Sequence, residues 1–226
     1  MGDHQVHYLK AGSGQPIILL HGGASDSRDW IGTLTALSPY YSLYAPDMIG
    51  YGQSHRTKSG YYLSDFVEFA LGFISELGLT SPVLVGHSFG GRLCLEIALR
   101  HPEMVRKLVL IDNSGFGRIS RFRSYLPTMF WAMRKLLRQP QPYPTFLTRE
   151  GEDGHWVCLD ELPGLRVPTL IIWKRYDPYF PLSLAIRARE LIPGARLAVF
   201  PGYGHAPHKQ KGDSFNRLLM SFLDSD

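Results

Sequence analysis

The chain has 226 residues, 44% of them hydrophobic and 19% charged, enough to build one large globular domain around a substantial core. That balance excludes a disordered or fibrous chain, and the 23 glycines and 16 prolines lack the period of a collagen or a solenoid. Two cysteines, Cys94 and Cys158, are too few for a disulfide scaffold and too isolated for a zinc or iron–sulfur ligand set.

The net charge of +4 is local: residues 114–149 carry seven Lys or Arg and no Asp or Glu, and the rest carries seventeen basic against twenty acidic residues. A basic groove would not be confined to one insert, so no nucleic-acid partner is expected. The start, Met1-Gly2-Asp3-His4-Gln5-Val6, has no basic lead into an apolar run and no Ser or Thr at the sixth position for myristoylation. No apolar stretch approaches the roughly 18 residues of a membrane span. The expectation is a cytoplasmic chain with no integral membrane association.

In chain order, Val6 to Lys10 and Pro16 to Leu20 read as the first two strands, separated by the turn Ala11-Gly12-Ser13-Gly14. Ser42 to Ala45 is a third, running into the loop Pro46-Asp47-Met48-Ile49-Gly50-Tyr51-Gly52. Leu63, Phe66, Val67, Ala70, Leu71, Ile74 and Leu77 recur at helical spacing and predict an amphipathic helix capped near Ser64. Pro82 to Gly86 is the next strand, followed by a helix to about Arg100 that stops at His101-Pro102. Lys107 to Asp112 and Thr169 to Trp173 are further strands, Leu182 to Ile192 a helix, Arg196 to Phe200 the last strand, and Ser214 to Leu223 the closing helix.

This alternation predicts an α/β fold with a mainly parallel sheet flanked by helices. It is interrupted once, by the 54 residues between Asp112 and Val167. They are apolar, aromatic and basic at first (Tyr125, Leu126, Met129, Phe130, Trp131, Met133) and then broken by Pro140, Pro142 and Pro144. The expected organisation is a core of residues 1–113 and 167–226 with a short helical lid insertion at 114–166.

Gly86-His87-Ser88-Phe89-Gly90 fits G-x-S-x-G and lies between a predicted strand and a predicted helix. Such a turn strains the serine backbone, raises its hydroxyl above the sheet and tolerates only small residues at 86 and 90. A serine hydroxyl is a weak nucleophile that needs a base, and the base needs an orienting carboxylate. Asp177, after the strand ending at Trp173, and His205, in Pro201-Gly202-Tyr203-Gly204-His205, supply both in the order Ser, Asp, His. In a parallel sheet all three loops lie beyond the carboxyl ends of strands and converge on one edge.

The rivals are Asp112 as orienting acid and His208 as base, while His87 reads as structural support beside the nucleophile. His21-Gly22-Gly23-Ala24 follows the second strand. It offers an oxyanion donor at the Gly23 amide, with Ala24 as the alternative, to complement the amide of Phe89 at the helix start. Gly22, Ala24, Met129 and Trp131 are the expected substrate contacts. Nucleotide binding is a poor reading: no Lys-Ser/Thr pair follows the glycines, and Gly50-Tyr51-Gly52 lacks a third glycine at dinucleotide spacing. His205 and His208 are three apart without a glutamate or third ligand, so no metal and no cofactor is expected.

On these residues the sequence resembles the α/β-hydrolase superfamily, in its lid-bearing serine esterase and C–C hydrolase-like branch. The resemblance runs through His21-Gly22-Gly23 with Trp30, Asp47 to Ser54, Gly86 to Gly91, Trp173 through Asp177 to Pro181, and Gly204-His205-Ala206-Pro207-His208. It implies a Ser88–His205–Asp177 triad, acyl-enzyme chemistry, no cofactor and a pocket between core and lid. The chain begins at what resembles the family's second strand, so the first edge strand is expected to be missing. The lid is shorter than is usual in that branch, and Lys174 stands where a glycine is common.

The expected activity is hydrolysis of small to medium acyl or aryl esters by a monomer or homodimer. C–C bond hydrolysis, perhydrolysis and slow-turnover ligand reception are the alternatives on the same site. Arg118, Arg121 and Arg123 could favour a carboxylate-bearing substrate or an anionic surface, although solvated surface charge is the plainer reading.

Overall fold

A computed structural model describes residues 5–23, 25–55, 61–117, 129, 133, 136–137 and 158–225. Its strands are β1 (Tyr8–Ala11), β2 (Pro16–Leu20), β3 (Ser42–Pro46), β4 (Val83–His87), β5 (Lys107–Ile111), β6 (Thr169–Tyr176) and β7 (Arg196–Tyr203). They form one seven-stranded sheet in the order β1-β3-β2-β4-β5-β6-β7. Only the β1–β3 pair is antiparallel. The helices are α1 (Ile31–Leu37), α2 (Leu63–Glu76), α3 (Phe89–Arg100), α4 (Leu182–Leu191), α5 (Pro207–Gln210) and α6 (Gly212–Leu223). The sheet edge on the β1 side is that antiparallel strand, and no strand precedes it among the described residues.

Side chains of the central strands alternate between two cores, as the two-residue period of a strand requires. Ile18, Leu20, Leu84, Leu108 and Leu110 face one core with Phe66 and Phe73 of α2, Leu93 and Ile97 of α3, and Ala185 and Ala188 of α4. Ile17, Leu19, Val83, Val85 and Val109 face the other with Trp30, Leu34 and Leu37 around α1 and Phe215, Leu219 and Phe222 of α6. Burial on both faces explains why these strands read as continuous apolar runs rather than alternating ones. Lys107, buried at the start of β5, donates from Nζ to the carbonyls of Phe222 and Leu223 at 3.0 Å each, and to that of Ser225. A cation there satisfies carbonyls that the end of α6 leaves without helical partners.

Several boundaries move. β1 starts at Tyr8 rather than Val6, because residues before it bond to the β3 end and its following loop outside the regular ladder: His7 O accepts from Asp47 N–H at 2.9 Å and Gln5 O from His55 N–H at 3.0 Å. The α2 cap is Tyr62, not Ser64, with the Tyr62 N–H donating to Asp65 at 2.7 Å. Asp112 leaves the β5 strand at φ 42°. β6 runs past Trp173 to Tyr176, and β7 past Phe200 to Tyr203, as a paired extension with an irregularity between Lys174 and Tyr176. That exposed extension has no apolar period, so sequence patterning missed it. α1 was not predicted either: Gly32, Thr33 and Thr35 are poor helix formers, and burial of Thr33, Leu34 and Leu37 holds the helix in place.

The lid expected at 114–166 lies mostly outside the described residues. Its first residues, Ser114 to Phe116, form a buried turn against the core. Its last, from Cys158, return through Leu159–Gly164, with Cys158 N–H donating to Gly115 O at 3.0 Å. Between them only Met129, Met133, Leu136 and Leu137 are described, and all four side chains are exposed.

Candidate active site

Ser88 sits between β4 and α3 with φ 51° and ψ −109°. A non-glycine residue there carries strain on the order of 1–3 kcal/mol, which persists only if the surroundings over-determine it. They do: Ser88 N–H donates to Ile111 O at 2.8 Å, and Ser88 O accepts from the backbone N–H groups of Arg92 at 3.1 Å and Ser114 at 3.2 Å. The Ser114 hydroxyl donates to the same carbonyl at 3.2 Å. A Cβ on Gly86 would lie 2.4 Å from Gly90 O, and one on Gly90 would lie 2.4 Å from Leu20 O. The turn therefore closes only with glycine at both flanks, as the sequence pattern required. α3 begins at Phe89, so the positive end of its dipole is directed at the Ser88 turn.

Asp177 directly follows β6 and His205 closely follows β7. The β6–β7 extension thus delivers both to one place. His205 Nδ1 lies 2.6 Å from Asp177 Oδ2, and Asp177 Oδ1 accepts from the N–H groups of Tyr179 at 2.6 Å and Phe180 at 2.9 Å. Both carboxylate oxygens are engaged and the side chain is fully buried. Since the carboxylate can only accept, His205 donates from Nδ1, which leaves Nε2 as the acceptor of the neutral ring. The rings of Tyr179 and Phe180 flank His205 at 4.8 Å and 5.8 Å between centroids.

His87, directly before Ser88, lies against His205: its ring is 4.9 Å from that of His205, and its Nε2 donates to His205 O at 2.5 Å. The contact expected of His87 as structural support is thus with the backbone of His205. Burial lowers its pKa well below the ordinary histidine value, with His208 and His205 adding to the effect. The loop after β2 closes over the same point. A Cβ on Gly22 would stand 2.8 Å from His87 Nδ1 and 3.6 Å from Ser88 Cβ. His21 fixes this loop by accepting from Met48 N–H on Nε2 at 3.0 Å and donating from Nδ1 to Gly22 O at 2.8 Å. Burial lowers its pKa, so it is a neutral clamp. Sequence reasoning gave His21 no such role, although its place before two glycines was the available signal.

The rivals are also placed. His208 does not bond Asp177; it is buried, stacked on Trp30 at 4.5 Å between centroids, and its protonation is pushed down to about 3, first by burial. Asp112 is buried, with Oδ1 accepting from Lys174 N–H at 2.8 Å and Oδ2 without a hydrogen-bond partner. Burial, then the neighbouring Asp177 charge, raises its pKa well above the carboxylate range. Those surroundings disfavour the charged form of Asp112, and none of its hydrogen bonds reaches His205. Lys174, the residue at a position where glycine was expected, supplies that amide and ties its own Nζ to Pro201 O at 2.8 Å on β7. Gly23 is described and partly buried. Ala24 and Trp131 lie outside the described residues, and Met129 is 66% exposed.

Two groups of side chains bring potential metal-ligand atoms within 4.8 Å of one another: Asp29, His87 and His208, and His87, Asp112 and His205. The expectation of no ligand set rested on linear spacing, which does not see Asp29 and His87 folded against His208. Among the described residues, no helix is long and apolar enough to cross a membrane.

Comparison with known proteins identifies the fold family. A family model described as the alpha/beta hydrolase fold matches residues 15–150. The 2-hydroxymuconate semialdehyde hydrolase of Pseudomonas putida is 30% identical, over 94% of this chain and 88% of that protein. The solved meta-cleavage product hydrolase of Pseudomonas fluorescens superposes with a TM-score of 0.80 at 31% identity, covering 97% of this chain and 94% of that one. A thermophilic esterase of Thermogutta terrifontis superposes with a TM-score of 0.81 at 19% identity, covering 96% and 92% of the two chains, which is a likeness of fold.

Proposed function

Because the chain belongs to the α/β-hydrolase fold family, we propose that this hydrolase uses Ser88 as nucleophile, His205 as general base and Asp177 as the orienting carboxylate. Its substrates are small to medium acyl or aryl esters. The observation that carries the reading is the pairing of a serine at φ 51° in a locked turn with a histidine held at 2.6 Å by a fully engaged aspartate. Strain at Ser88 is a cost that acyl transfer explains, and three donors on one buried carboxylate fix the group that holds His205.

Ser88 Oγ attacks the ester carbonyl carbon while His205 Nε2 takes its proton. The oxyanion forms at the amides of Phe89 and Gly23, where the helix dipole and the His21-clamped loop favour negative charge. Collapse of the tetrahedral intermediate breaks the bond to the alcohol oxygen, which receives the proton from His205. Water then attacks the acyl-Ser88 ester with His205 again as base, releasing the acid and restoring Ser88. Gly22, Ala24, Met129 and Trp131 are the proposed substrate contacts, with the insertion at 114–166 as a lid over them. No cofactor enters these steps, and a cytoplasmic monomer or homodimer is part of the same proposal.

C–C bond hydrolysis is the second reading, favoured by the 30–31% identity to hydrolases of 2-hydroxymuconate semialdehyde and of meta-cleavage products. There the leaving group is a carbon that must be protonated, so the site must hold an enolate as well as an oxyanion. The test is multiple-turnover hydrolysis of p-nitrophenyl acetate, butyrate and octanoate, beside loss of 2-hydroxymuconate semialdehyde absorbance, by wild type and Ser88→Ala. Ester turnover that falls by at least about 10³-fold in the variant supports the first reading. Faster turnover of the semialdehyde with poor ester hydrolysis transfers the assignment to C–C cleavage, and undiminished turnover in Ser88→Ala refutes the site.

A further inference from the structure

Beside the triad lies a second polar cluster that acyl transfer does not use. His208 is buried, and neither of its ring nitrogens has a hydrogen-bond partner. His87 spends its Nε2–H on His205 O, which leaves the lone pair on Nδ1, and Nδ1 is also buried without a partner. The two rings lie 4.7 Å apart between centroids. Asp29 closes the group toward solvent: its side chain is 11% exposed, and Lys209 Nζ, itself half-exposed, reaches its Oδ1 at 2.6 Å.

An imidazole buried with both nitrogens unsatisfied is expensive, about 1–3 kcal/mol for each orphaned group. Stacking on Trp30 does not explain the expense, since phenylalanine would stack there without it. Both histidines are buried with a ring nitrogen free of any hydrogen-bond partner, and a neutral imidazole with a free lone pair is what a metal binds. One ligand atom from each of Asp29, His87 and His208 lies within 4.8 Å of the others. Tetrahedral Zn²⁺, with bonds of about 2.0–2.1 Å, wants its ligands about 3.3 Å apart, so small side-chain shifts close the set. The flexible Lys209 side chain can swing away from Asp29, leaving the fourth position to water.

We infer that Asp29, His87 and His208 form a binding site for a borderline divalent transition metal such as Zn²⁺, separate from the Ser88–His205–Asp177 group and inhibitory when occupied. The inhibition follows from the shared residue. A metal on His87 immobilises the side chain that bonds the backbone of His205 and directly precedes Ser88, and it adds positive charge beside a base that must become cationic during attack. The inhibitory part rests on the proposed serine-hydrolase chemistry; the binding part does not.

The test is calorimetric titration of Zn²⁺ into untagged, EDTA-dialysed protein, for wild type, Asp29→Asn, His208→Phe and His205→Ala, with p-nitrophenyl butyrate hydrolysis followed alongside. The expected result is one equivalent bound by wild type, affinity at least about tenfold weaker in Asp29→Asn, binding lost in His208→Phe and kept in His205→Ala. Hydrolysis by wild type should fall as the site fills and recover on adding EDTA. Absence of stoichiometric binding overturns the inference. Binding that survives in both Asp29→Asn and His208→Phe, or that disappears only in His205→Ala, also overturns it, the latter by moving the ion to His87, Asp112 and His205. If His208→Phe does not fold, Asp29→Asn decides alone. Zn²⁺ binding as expected in a protein without esterase turnover would leave the metal site standing and sink the ester reading.

Discussion

Asp177 and Asp112 follow neighbouring strands, β6 and β5, and both are buried, yet their surroundings treat them in opposite ways. Asp177 receives three N–H donors, from Tyr179, Phe180 and His205, so both of its oxygens are engaged. Asp112 receives one, from Lys174, and its second oxygen has none. Burial penalises the charged form of either. What separates them is the number of donors aimed at the oxygens, and with Asp177 charged nearby the second carboxyl is driven toward neutrality. A pair of close carboxyls sharing one charge is how a site can hold one acid as an anion and the other as a neutral group.

The severest way to break this contrast is Asp177→Asn. The amide turns an N–H₂ donor toward His205 Nδ1 and favours the tautomer with its proton on Nε2, where the base must accept. On the triad template, kcat/KM for p-nitrophenyl butyrate should fall by about 10³ to 10⁴ while urea unfolding shows a folded protein. A loss of less than about tenfold would return the orienting role to Asp112.

His208 extends the comparison to a base, because burial keeps it neutral as it does Asp112. Its folded-state protonation is pushed down to about 3, whereas the unfolded chain takes up that proton near 6.5. Stability from neutral His208 is therefore present above about pH 6.5 and lost as the pH falls toward 3, with a slope near 1.4 kcal/mol per pH unit. His208→Phe keeps the stack on Trp30 and should remove that slope, read as urea midpoints at pH 7, 5.5 and 4. The residual acid slope then belongs to His87 and His21, lowered by the same burial. An unchanged slope would mean that His208 is already bonded, by water, in the folded state.

The legible part of this molecule was whatever a local pattern enforces. The strands Pro16–Leu20 and Lys107–Ile111 are apolar because both faces are covered, and Gly86 and Gly90 are glycine because their Cβ atoms would meet backbone 2.4 Å away. Asp177 and His205 could be read from their places after strands, since a parallel sheet sends such loops to one edge. Long-range donors were not legible. That Lys174 N–H would hold Asp112, or that His87 would bond the His205 carbonyl 118 residues away, follows from the β6–β7 extension and its irregular register, which leave no period in the sequence. The same holds for Asp29 beside His208, where the Lys209–Asp29 pair spans 180 residues.

The mildest substitution tests the comparison most finely. Asp112→Asn replaces an acid whose charged form burial disfavours with a neutral amide of nearly the same shape, keeps an oxygen for Lys174 N–H, and can turn its N–H₂ toward Asp177. Turnover should therefore stay within about tenfold of wild type, less than 1.4 kcal/mol of barrier. Stability should respond to pH instead. Because the folded-state pKa of Asp112 is raised, its favourable contribution is complete below the unfolded carboxylate value and declines as pH rises toward the folded one. Wild type is penalised above that range for a proton the unfolded chain has already released. The asparagine variant escapes the penalty, so its urea midpoint should gain on wild type between pH 4 and pH 7 and match it most closely near pH 3. If Asp112→Asn instead loses activity as Asp177→Asn does, both carboxyls act on His205 as one coupled unit, and the donor count at each oxygen is not what divides their roles.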